Sequence, residues 1–269
     1  MIGAIIGDIV GSVYEWDNIK TKKFNLFRDD CKFTDDTVMT LAVAKAIYDS
    51  SKDLHKLKEI IVPTLQEIGR HYPDSGYGER FFRWLYSDKP EPYNSYGNGS
   101  AMRVSACGWV ADSLEEAKEL SRIVTEITHN HLEGIKGAEA TTVAIYMARQ
   151  GNSKEEIMEY IEKNYYDLNF TLDEIRDTYD FDVSCQGTVP QSIVAFLESI
   201  DFEDAIRNAI SLGGDSDTLA AITGSIAEAY YDIPQNIVDK ALTYLDDRLF
   251  NLLSELYTNS KSRIHLHRV

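Results

Sequence analysis

The sequence predicts an all-α protein, and three observations lead to this expectation. Apolar residues recur at helical spacing along most of the 269 residues. Helix-capping residues precede several of these stretches. No run of alternating strand residues bounded by hairpin turns occurs. Because no low-complexity linker or internal repeat divides the chain, we expect one compact multi-helix domain over residues 1–269.

The first predicted helix is an apolar stretch over residues 7–15 that carries two acids, Asp8 and Glu15. These acids lie about two turns apart and should project from the same side. Asp8 would be a buried partner for a backbone or basic group. Gly7 and Gly11 would let another helix or a ligand approach closely. By spacing alone, Glu15 is either a functional acid or a solvated acid at a helix end.

Helical periodicity continues along the rest of the chain. Pro63 lies inside the third predicted helix and predicts a kink or a break there. The helix over 132–150 is rich in small residues, so we expect it to pack in the centre of the molecule. Pro234 suits the first turn of the last helix. After the N-terminal helix, the predicted helices span residues 36–48, 54–70, 113–127, 132–150, 153–163, 189–197, 202–211, 217–231 and 233–257.

Residues 71–100 are the exception to this pattern, because prolines and glycines recur throughout the segment. They predict a loop around one short helix near residues 80–86. The segment ends in a glycine-flanked turn that leads into a further helix containing Arg103. Arg103 is expected to bind a ligand or to form a structural ion pair.

Composition excludes several classes of function. The formal net charge of −17 argues against nonspecific binding to nucleic acid or to an anionic membrane, since both require basic patches. No apolar run reaches the length of a membrane span, and the N-terminus lacks the basic segment of a secretory signal. The three cysteines are widely spaced, which indicates buried free thiols in a reducing compartment. We therefore expect a cytoplasmic protein.

Two acidic clusters, 33–37 and 213–218, carry the strongest functional signal. Each combines two aspartates with a threonine and is followed at once by a helical pattern. Asp, Ser and Thr also favour helix N-termini, so either cluster alone could be a simple cap. A cap needs one side chain, however, and the same residue types recur in both clusters. Carboxylate and hydroxyl oxygens are hard ligands that suit Mg²⁺, Mn²⁺ or Ca²⁺, so the two clusters together could hold a pair of cations.

Two further segments could contact a ligand. The turn over Gly97–Ser100 could offer backbone N–H groups to a phosphate. Asn98, inside this turn, could hydrogen-bond a polar ligand, and Tyr96, just before it, could stack on a base. The same turn could be a plain loop-to-helix connection. His129 and His131 form a His-x-His pair, but no cysteine or third histidine lies nearby. Hydrogen bonding to a ligand or helix capping is favoured over zinc binding.

These segments, in this order, resemble the ADP-ribosylglycohydrolase family, which includes dinitrogenase reductase-activating glycohydrolase. The matching segments are 3–15, 33–37, 97–103, 128–138 and 213–218. No nucleophile elbow, Walker loop or dinucleotide fingerprint competes with this match. The resemblance implies an all-α fold that holds two divalent cations, Mg²⁺ or Mn²⁺.

The resemblance also implies a role for each matching residue. Glu15 falls where the family has a glutamate on a mobile loop near the metals, so it becomes a candidate catalytic acid or base. The cluster aspartates Asp35 and Asp36 are the other catalytic candidates. The implied metal ligands are Thr34, Asp35, Asp36, Asp215, Asp217 and Thr218. The implied substrate contacts are Tyr96, Gly97, Asn98, Gly99, Ser100 and His129.

The implied activity is hydrolysis at the anomeric carbon of the distal ribose, which would release ADP-ribose from a modified protein or small molecule. Some arginine-specific members have an acid at the position of Ser95, which puts specificity for arginine-linked ADP-ribose in doubt without excluding it. Serine-linked and O-acetyl-linked ADP-ribose are therefore also possible substrates. Two alternatives remain. One is a catalytically idle ADP-ribose reader, which would not need both acidic clusters. The other is a metal-dependent nucleotide pyrophosphatase, which would release AMP.

Overall fold

The computed structural model describes residues 1–258 and Leu266. Within this part of the chain every regular element is a helix, and the one β-type contact is an isolated bridge between Gly97 and Ser184. The all-α prediction is therefore confirmed. The helices are α1 (Ile2–Gly11), α2 (Asp35–Ser50), α3 (Leu54–Arg70), α4 (Glu79–Leu85), α5 (Gly99–Met102), α6 (Ser105–Val110), α7 (Leu114–Glu126), α8 (Leu132–Arg149), α9 (Lys154–Asn164), α10 (Leu172–Ile175), α11 (Cys185–Leu197), α12 (Phe202–Ile210), α13 (Ser216–Tyr230), α14 (Gln235–Leu242) and α15 (Asp247–Thr258).

Helices α1 and α13 form the most intimate pair in the fold, because small residues let their backbones meet. A Cβ atom at Gly7 would lie 2.0 Å from the carbonyl oxygen of Ala220, and one at Gly3 would lie 2.2 Å from that of Gly224. A Cβ at Gly11 would come within 2.5 Å of the Asp217 Cα. The pair therefore brings the C-terminal end of α1 against the first turn of α13, where the second acidic cluster lies.

We expect Gly7→Ala to destabilise the protein by about 1–3 kcal/mol, because the added methyl group would overlap backbone that cannot move aside cheaply. The better helix propensity of alanine offsets only part of that cost. Gly78→Ala is the control, since a Cβ there meets nothing within 4 Å. Urea unfolding of both variants measures the difference. An equal midpoint for Gly7→Ala and Gly78→Ala would refute the close α1–α13 contact.

Helix α8 packs in the centre, as its small residues predict. Its buried side chains contact α5, α6, α7, α11 and α13. Two close approaches explain the glycines: a Cβ at Gly137 would lie 2.6 Å from the Cys185 side chain, and one at Gly134 would lie 2.6 Å from the Ser95 carbonyl. The N-terminal end of α8 is thereby pressed against the glycine-flanked turn and against the start of α11.

Several predicted helix boundaries differ from the structure. Helix α3 runs through Pro63 without a break. The predicted helix 233–257 is two helices, α14 and α15, separated by a turn in which Asp246 accepts the Leu249 N–H at 2.8 Å and so starts α15. The short helices α6 and α10 were not predicted, because each is too short to show a period.

Two corrections concern candidate functional residues. Helix α1 ends at Gly11, so Glu15 lies in the following turn and not in a helix with Asp8. The Ser12 hydroxyl donates to the Ile9 carbonyl at 2.8 Å, which helps to close the helix there. Arg103 is likewise outside a helix, because α5 ends at Met102 and α6 begins at Ser105. Glu15 therefore projects from the turn after α1, and Arg103 projects from the connection between α5 and α6.

The described helices share one contiguous hydrophobic core. None of them is both long and apolar enough to cross a bilayer. Cys31, Cys107 and Cys185 are buried and free, as their spacing predicts. The single-domain boundary at 1–269 stays a prediction, and most of residues 259–269 lie outside the described part of the chain.

Candidate active site

The two acidic clusters meet at the floor of one cleft, although about 180 residues separate them in the chain. Thr34 is the N-cap of α2 and Asp215 is the N-cap of α13, so both helices begin at this point. The Thr218 hydroxyl donates to Asp36 Oδ1 at 3.4 Å and joins one cluster to the other. The second carboxylate oxygen of Asp36 is buried and has no hydrogen-bond partner in the described part of the chain. The capping interpretation therefore explains only part of each cluster.

Glu15 joins the second cluster in this floor. Carboxylate oxygens of Glu15, Asp215 and Asp217 all lie within 4.8 Å of one another, which is close enough for a shared cation. Both aspartates are buried, whereas Glu15 is half-buried. The structure thus brings Glu15 to the acids despite its position outside α1.

Burial raises the pKa of the acids in the floor, and neighbouring carboxylates raise it further for Glu15, Asp35, Asp36 and Asp217. Burial raises the pKa of Asp36 and Asp217 well above its usual range, and the next cause is a neighbouring aspartate in each case. Burial also raises the pKa of Asp35 well above its usual range, and the next cause is the charge of Asp8. Burial, followed by the charge of Asp215, raises the pKa of Glu15 to about 7. A cation at this place would relieve the repulsion.

Asp8 holds the first cluster in place, a role that the sequence indicated only as a buried backbone partner. Its carboxylate accepts the Thr34 N–H at 2.9 Å and the Thr34 hydroxyl at 2.7 Å. It also accepts the Thr37 N–H at 3.0 Å and the Thr37 hydroxyl. The Thr34 hydroxyl donates its proton to Asp8 and accepts the Asp36 N–H at 3.3 Å, so one lone pair is free for another partner.

Asn18 holds the Glu15 turn against the second cluster, and sequence patterns did not identify it. Its side-chain N–H groups donate to the carbonyls of Tyr14, Glu15 and Gly214, and its oxygen accepts the Gly214 N–H at 2.7 Å. Gly213 and Gly214 have φ values of 69° and 74°, a conformation that favours glycine. The Gly-Gly pair therefore shapes the turn that carries Asp215 into the cleft.

The glycine-flanked turn lies against the acids and is braced by the segment that leads into α11. The Asn98 N–H donates to the Val183 carbonyl at 2.8 Å, and the Cys185 N–H donates to the Tyr96 carbonyl at 2.9 Å. The Asn98 side chain donates to Asp215 Oδ2 at 2.6 Å and to the Thr188 hydroxyl at 3.1 Å. Asn98 thus connects the predicted substrate turn directly to a predicted metal ligand.

The structure does not bring every predicted substrate residue to the cavity surface. The cavity of about 500 Å³ is lined by Gly97, Asn98, Gly99 and His129 but not by Tyr96 or Ser100. The Ser100 hydroxyl is buried and donates to the carbonyls of Gly97 and Gly134. Tyr96 is half-exposed on the rim, with its ring 5.2 Å from that of His131. His131 itself caps α8 by accepting the Glu133 N–H at 3.1 Å, as the sequence interpretation allowed.

A cationic and aromatic group also lines the cavity and consists of Arg80, Tyr93, Arg103 and His129. The Arg80 guanidinium lies 4.8 Å from the centre of the Tyr93 ring and donates to the Tyr93 carbonyl. The cleft lining therefore combines buried acids with two guanidinium groups. An anionic ligand can lie against the acids only if cations neutralise them.

We expect Mg²⁺ or Mn²⁺ to raise the melting temperature, because binding relieves repulsion among the carboxylates. The raised pKa values give the sign of the pH dependence: protonation of these acids stabilises the metal-free fold, and that contribution is lost as the pH rises through the raised values. Protons and cations compete for the same oxygens, so the gain should be larger at about pH 8 than at about pH 6. Scanning calorimetry with Na⁺ at matched ionic strength is the control, and an unchanged melting curve would contradict a preformed site.

Comparison with known proteins gives a consistent result. Residues 1–264 match the family model described as ADP-ribosylglycohydrolase. The ADP-ribosylhydrolase ARH3 of Mus musculus is 26% identical over an alignment 316 positions long, which covers 87% of this chain and 83% of the mouse protein. The ADP-ribosylhydrolase ARH3 of Bos taurus is 27% identical over an alignment of the same length, which covers 87% of this chain and 84% of the bovine protein.

A solved structure described as an ADP-ribosylglycohydrolase-related protein complex shares the fold. It superposes with a TM-score of 0.69 at 23% sequence identity, and the alignment covers 96% of each chain. At this identity the likeness shows the fold alone. Together with the family match, it accounts for the all-α architecture.

Proposed function

Because this chain belongs to the ADP-ribosylglycohydrolase family, whose members hydrolyse glycosidic bonds of ADP-ribose, we propose the following specific reaction for it. The protein cleaves the bond at the anomeric carbon of the distal ribose and releases intact ADP-ribose. The substrate is an ADP-ribosylated protein or a small molecule that contains ADP-ribose. Two divalent cations, Mg²⁺ or Mn²⁺, are required.

One observation carries the proposal: the meeting of both acidic clusters with Glu15 on the floor of a cleft that two guanidinium groups also line. The oxygens of Glu15, Asp215 and Asp217 lie within 4.8 Å of one another, and Thr218 connects them to Asp36. The diphosphate of ADP-ribose suits the guanidinium groups, while the ribose hydroxyls suit cations held by the acids. These two kinds of partner match a ligand that is anionic in its middle and oxygen-rich at one terminus.

The residues present fit a cation pair. The donors are carboxylate and hydroxyl oxygens, which Mg²⁺ and Mn²⁺ prefer. The buried, unpartnered Asp36 Oδ2 is the type of atom that a cation would satisfy. When bound, such cations supply charge that orients sugar hydroxyls and polarises an oxygen atom. The residues that would hold them are Thr34, Asp35, Asp36, Asp215, Asp217 and Thr218.

Glu15 is the best candidate for proton transfer. It is half-buried, it lines the cleft, and its pKa of about 7 would let it both release and take up a proton near neutral pH. Asn18 fixes the turn that carries it. Asp35 and Asp36 are the alternative acids, although their role as ligands would occupy their oxygens. Glu15 would thus activate water or protonate the leaving group while other side chains hold the sugar.

Two features bear on the substrate and on the alternatives. Ser95 stands where some arginine-specific relatives have an acid, so we propose no preference for arginine-linked ADP-ribose over serine-linked or O-acetyl-linked forms. A protein that only binds ADP-ribose, without catalysis, would not need Glu15 and a full set of oxygen ligands on the floor of one cleft. A nucleotide pyrophosphatase would cleave the diphosphate, which suits the guanidinium groups of the cleft rather than the acids beside Glu15.

A release assay on arginine-linked, serine-linked and O-acetyl-linked ADP-ribose tests the proposal. With Mg²⁺ or Mn²⁺ present, at least one substrate should yield intact ADP-ribose, identified by its mass. Release of AMP instead would support the pyrophosphatase alternative. Tight ADP-ribose binding without turnover on any of the three linkages would support the reader.

A further inference from the structure

One of the two guanidinium groups that line the cleft is a buried charge without a counter-ion. Arg103 has only 1% of its surface exposed, yet none of the described carboxylates forms an ion pair with it. Its Nη2 group donates to the Val124 carbonyl at 3.2 Å and to the Thr128 hydroxyl at 2.7 Å, and its Nε atom has no hydrogen-bond partner. Burial lowers the pKa of Arg103 to about 10, which leaves it charged at neutral pH. Because an unpaired buried charge is costly, its retention calls for an explanation.

The hydrogen bonds around Thr128 favour one direction of its hydroxyl proton. A guanidinium group can only donate, so the Thr128 oxygen accepts from Arg103. The other partner of that oxygen is the Nδ1 atom of His129, 2.7 Å away, and the described structure gives the hydroxyl proton no other acceptor. An Nδ1–H would leave this buried hydroxyl proton unpaired, so the proton is directed to His129 Nδ1. The tautomer of a histidine is assigned from such a network.

A neutral imidazole whose Nδ1 accepts a hydrogen bond carries its own proton on Nε2. This Nε2 atom faces the glycine-flanked turn, because it lies 3.6 Å from the position of a Cβ at both Gly97 and Gly99. We propose that Arg103 and Thr128 are positioning residues that lock His129 in the Nε2–H tautomer, so that it presents a fixed N–H donor to an anionic oxygen of the ligand. The identity of the ligand rests on the proposed function, in which this oxygen belongs to the diphosphate of ADP-ribose. The assignment of the tautomer does not depend on that function.

The surroundings of His129 also keep it neutral. Burial lowers its pKa well below the usual range, and the positive charges of Arg103 and Arg80 lower it further. The opposite tautomer would aim a lone pair at the anionic oxygen and would repel it. The buried guanidinium therefore acts through Thr128, and its charge is used to orient a donor rather than to form an ion pair.

Nuclear magnetic resonance of the ¹⁵N-labelled, metal-free protein tests the tautomer directly. Two-bond ¹H–¹⁵N correlations distinguish a protonated from an unprotonated ring nitrogen, and a His129→Gln variant identifies the His129 signals. We expect Nε2 to be protonated in the wild type and in Thr128→Ser, which keeps the hydroxyl. We expect Thr128→Val to give a mixture of tautomers, because the hydroxyl that donates to Nδ1 is gone. Thr125→Val is the matched control, since Thr125 is buried three residues earlier and its hydroxyl has no hydrogen-bond partner in the described structure.

Calorimetry with ADP-ribose in the presence of Mg²⁺ supplies the second readout. Thr128→Val should weaken binding about tenfold, the loss expected for one hydrogen bond to a charged group, while Thr128→Ser and Thr125→Val should stay near the wild type. A proton on Nδ1 in the wild type would overturn the proposal, as would a Thr128→Val variant with an unchanged tautomer and affinity. The nuclear magnetic resonance result needs neither substrate nor turnover, so it can fail or succeed independently of the proposed function.

Discussion

Alanine at both Asp215 and Asp217 should reduce ADP-ribose release to the background rate. These two carboxylates form, with Glu15, a close acidic group on the cleft floor, and both are buried. Loss of groups that only orient a metal ligand costs about 10–100-fold in metal affinity or activity. Loss of two direct ligands should therefore exceed about 100-fold in both properties. Turnover measured beside a calorimetric Mn²⁺ titration would show the two losses together.

The matched control removes two acids that lie far from the cleft. Glu159 and Glu162 are exposed on α9. Glu159→Ala/Glu162→Ala changes the net charge by the same amount as the Asp215→Ala/Asp217→Ala pair, so it separates a general charge effect from loss of a site. Wild-type turnover in the Asp215→Ala/Asp217→Ala protein would mean that the acidic floor is structural only.

Replacing Glu15 by glutamine should lower turnover on the order of 10²–10⁴-fold, which is the usual contribution of a general acid or base. Glutamine keeps the shape of the side chain and the backbone bonds that Asn18 makes to this turn, but it cannot exchange a proton. ADP-ribose affinity should change far less than turnover. The reason is that the main contacts to the ligand would come from the glycine-flanked turn, from His129 and from the cation ligands.

A single-turnover assay beside calorimetry with ADP-ribose measures this separation. Glu79→Gln is a suitable control, because Glu79 also lines the cleft but is exposed and paired with Arg83. If Glu15→Gln keeps wild-type turnover, Glu15 has no catalytic role and is only an acid in the turn after α1. If instead it loses Mn²⁺ as Asp215→Ala/Asp217→Ala does, it is a metal ligand.

The helices and the local form of each acidic cluster could be predicted because both depend on neighbours in sequence. Helical spacing showed most elements, and the predicted helix over 153–163 begins with a capping box formed by Ser153 and Glu156. The meeting of Asp36 with Thr218 depends instead on how α2 and α13 both pack against α1. No local pattern contains that information: the residue types indicated only that the two clusters together could hold cations, and the resemblance to a family implied that they do.

The remaining errors have physical causes. Glu15 was placed in a helix because the apolar pattern continues beyond Gly11, whereas the chain turns there to bring Glu15 to Asp215. Asn18 and the residues before α11 were missed because they form hydrogen bonds with backbone groups of turns that are distant in sequence. Arg103 was expected to bind a ligand or to form a structural ion pair, but its connection through Thr128 to His129 depends on tertiary contacts.

The central claim is that the acids of this cleft hold cations that the reaction requires. The most direct test strips the protein with EDTA, restores Mn²⁺ stepwise, and measures bound metal per chain and ADP-ribose release on the same samples. The account predicts negligible release in EDTA, and recovery that is complete only when the second cation has bound. Full release in EDTA, or full recovery with no cation retained by the protein, would contradict it.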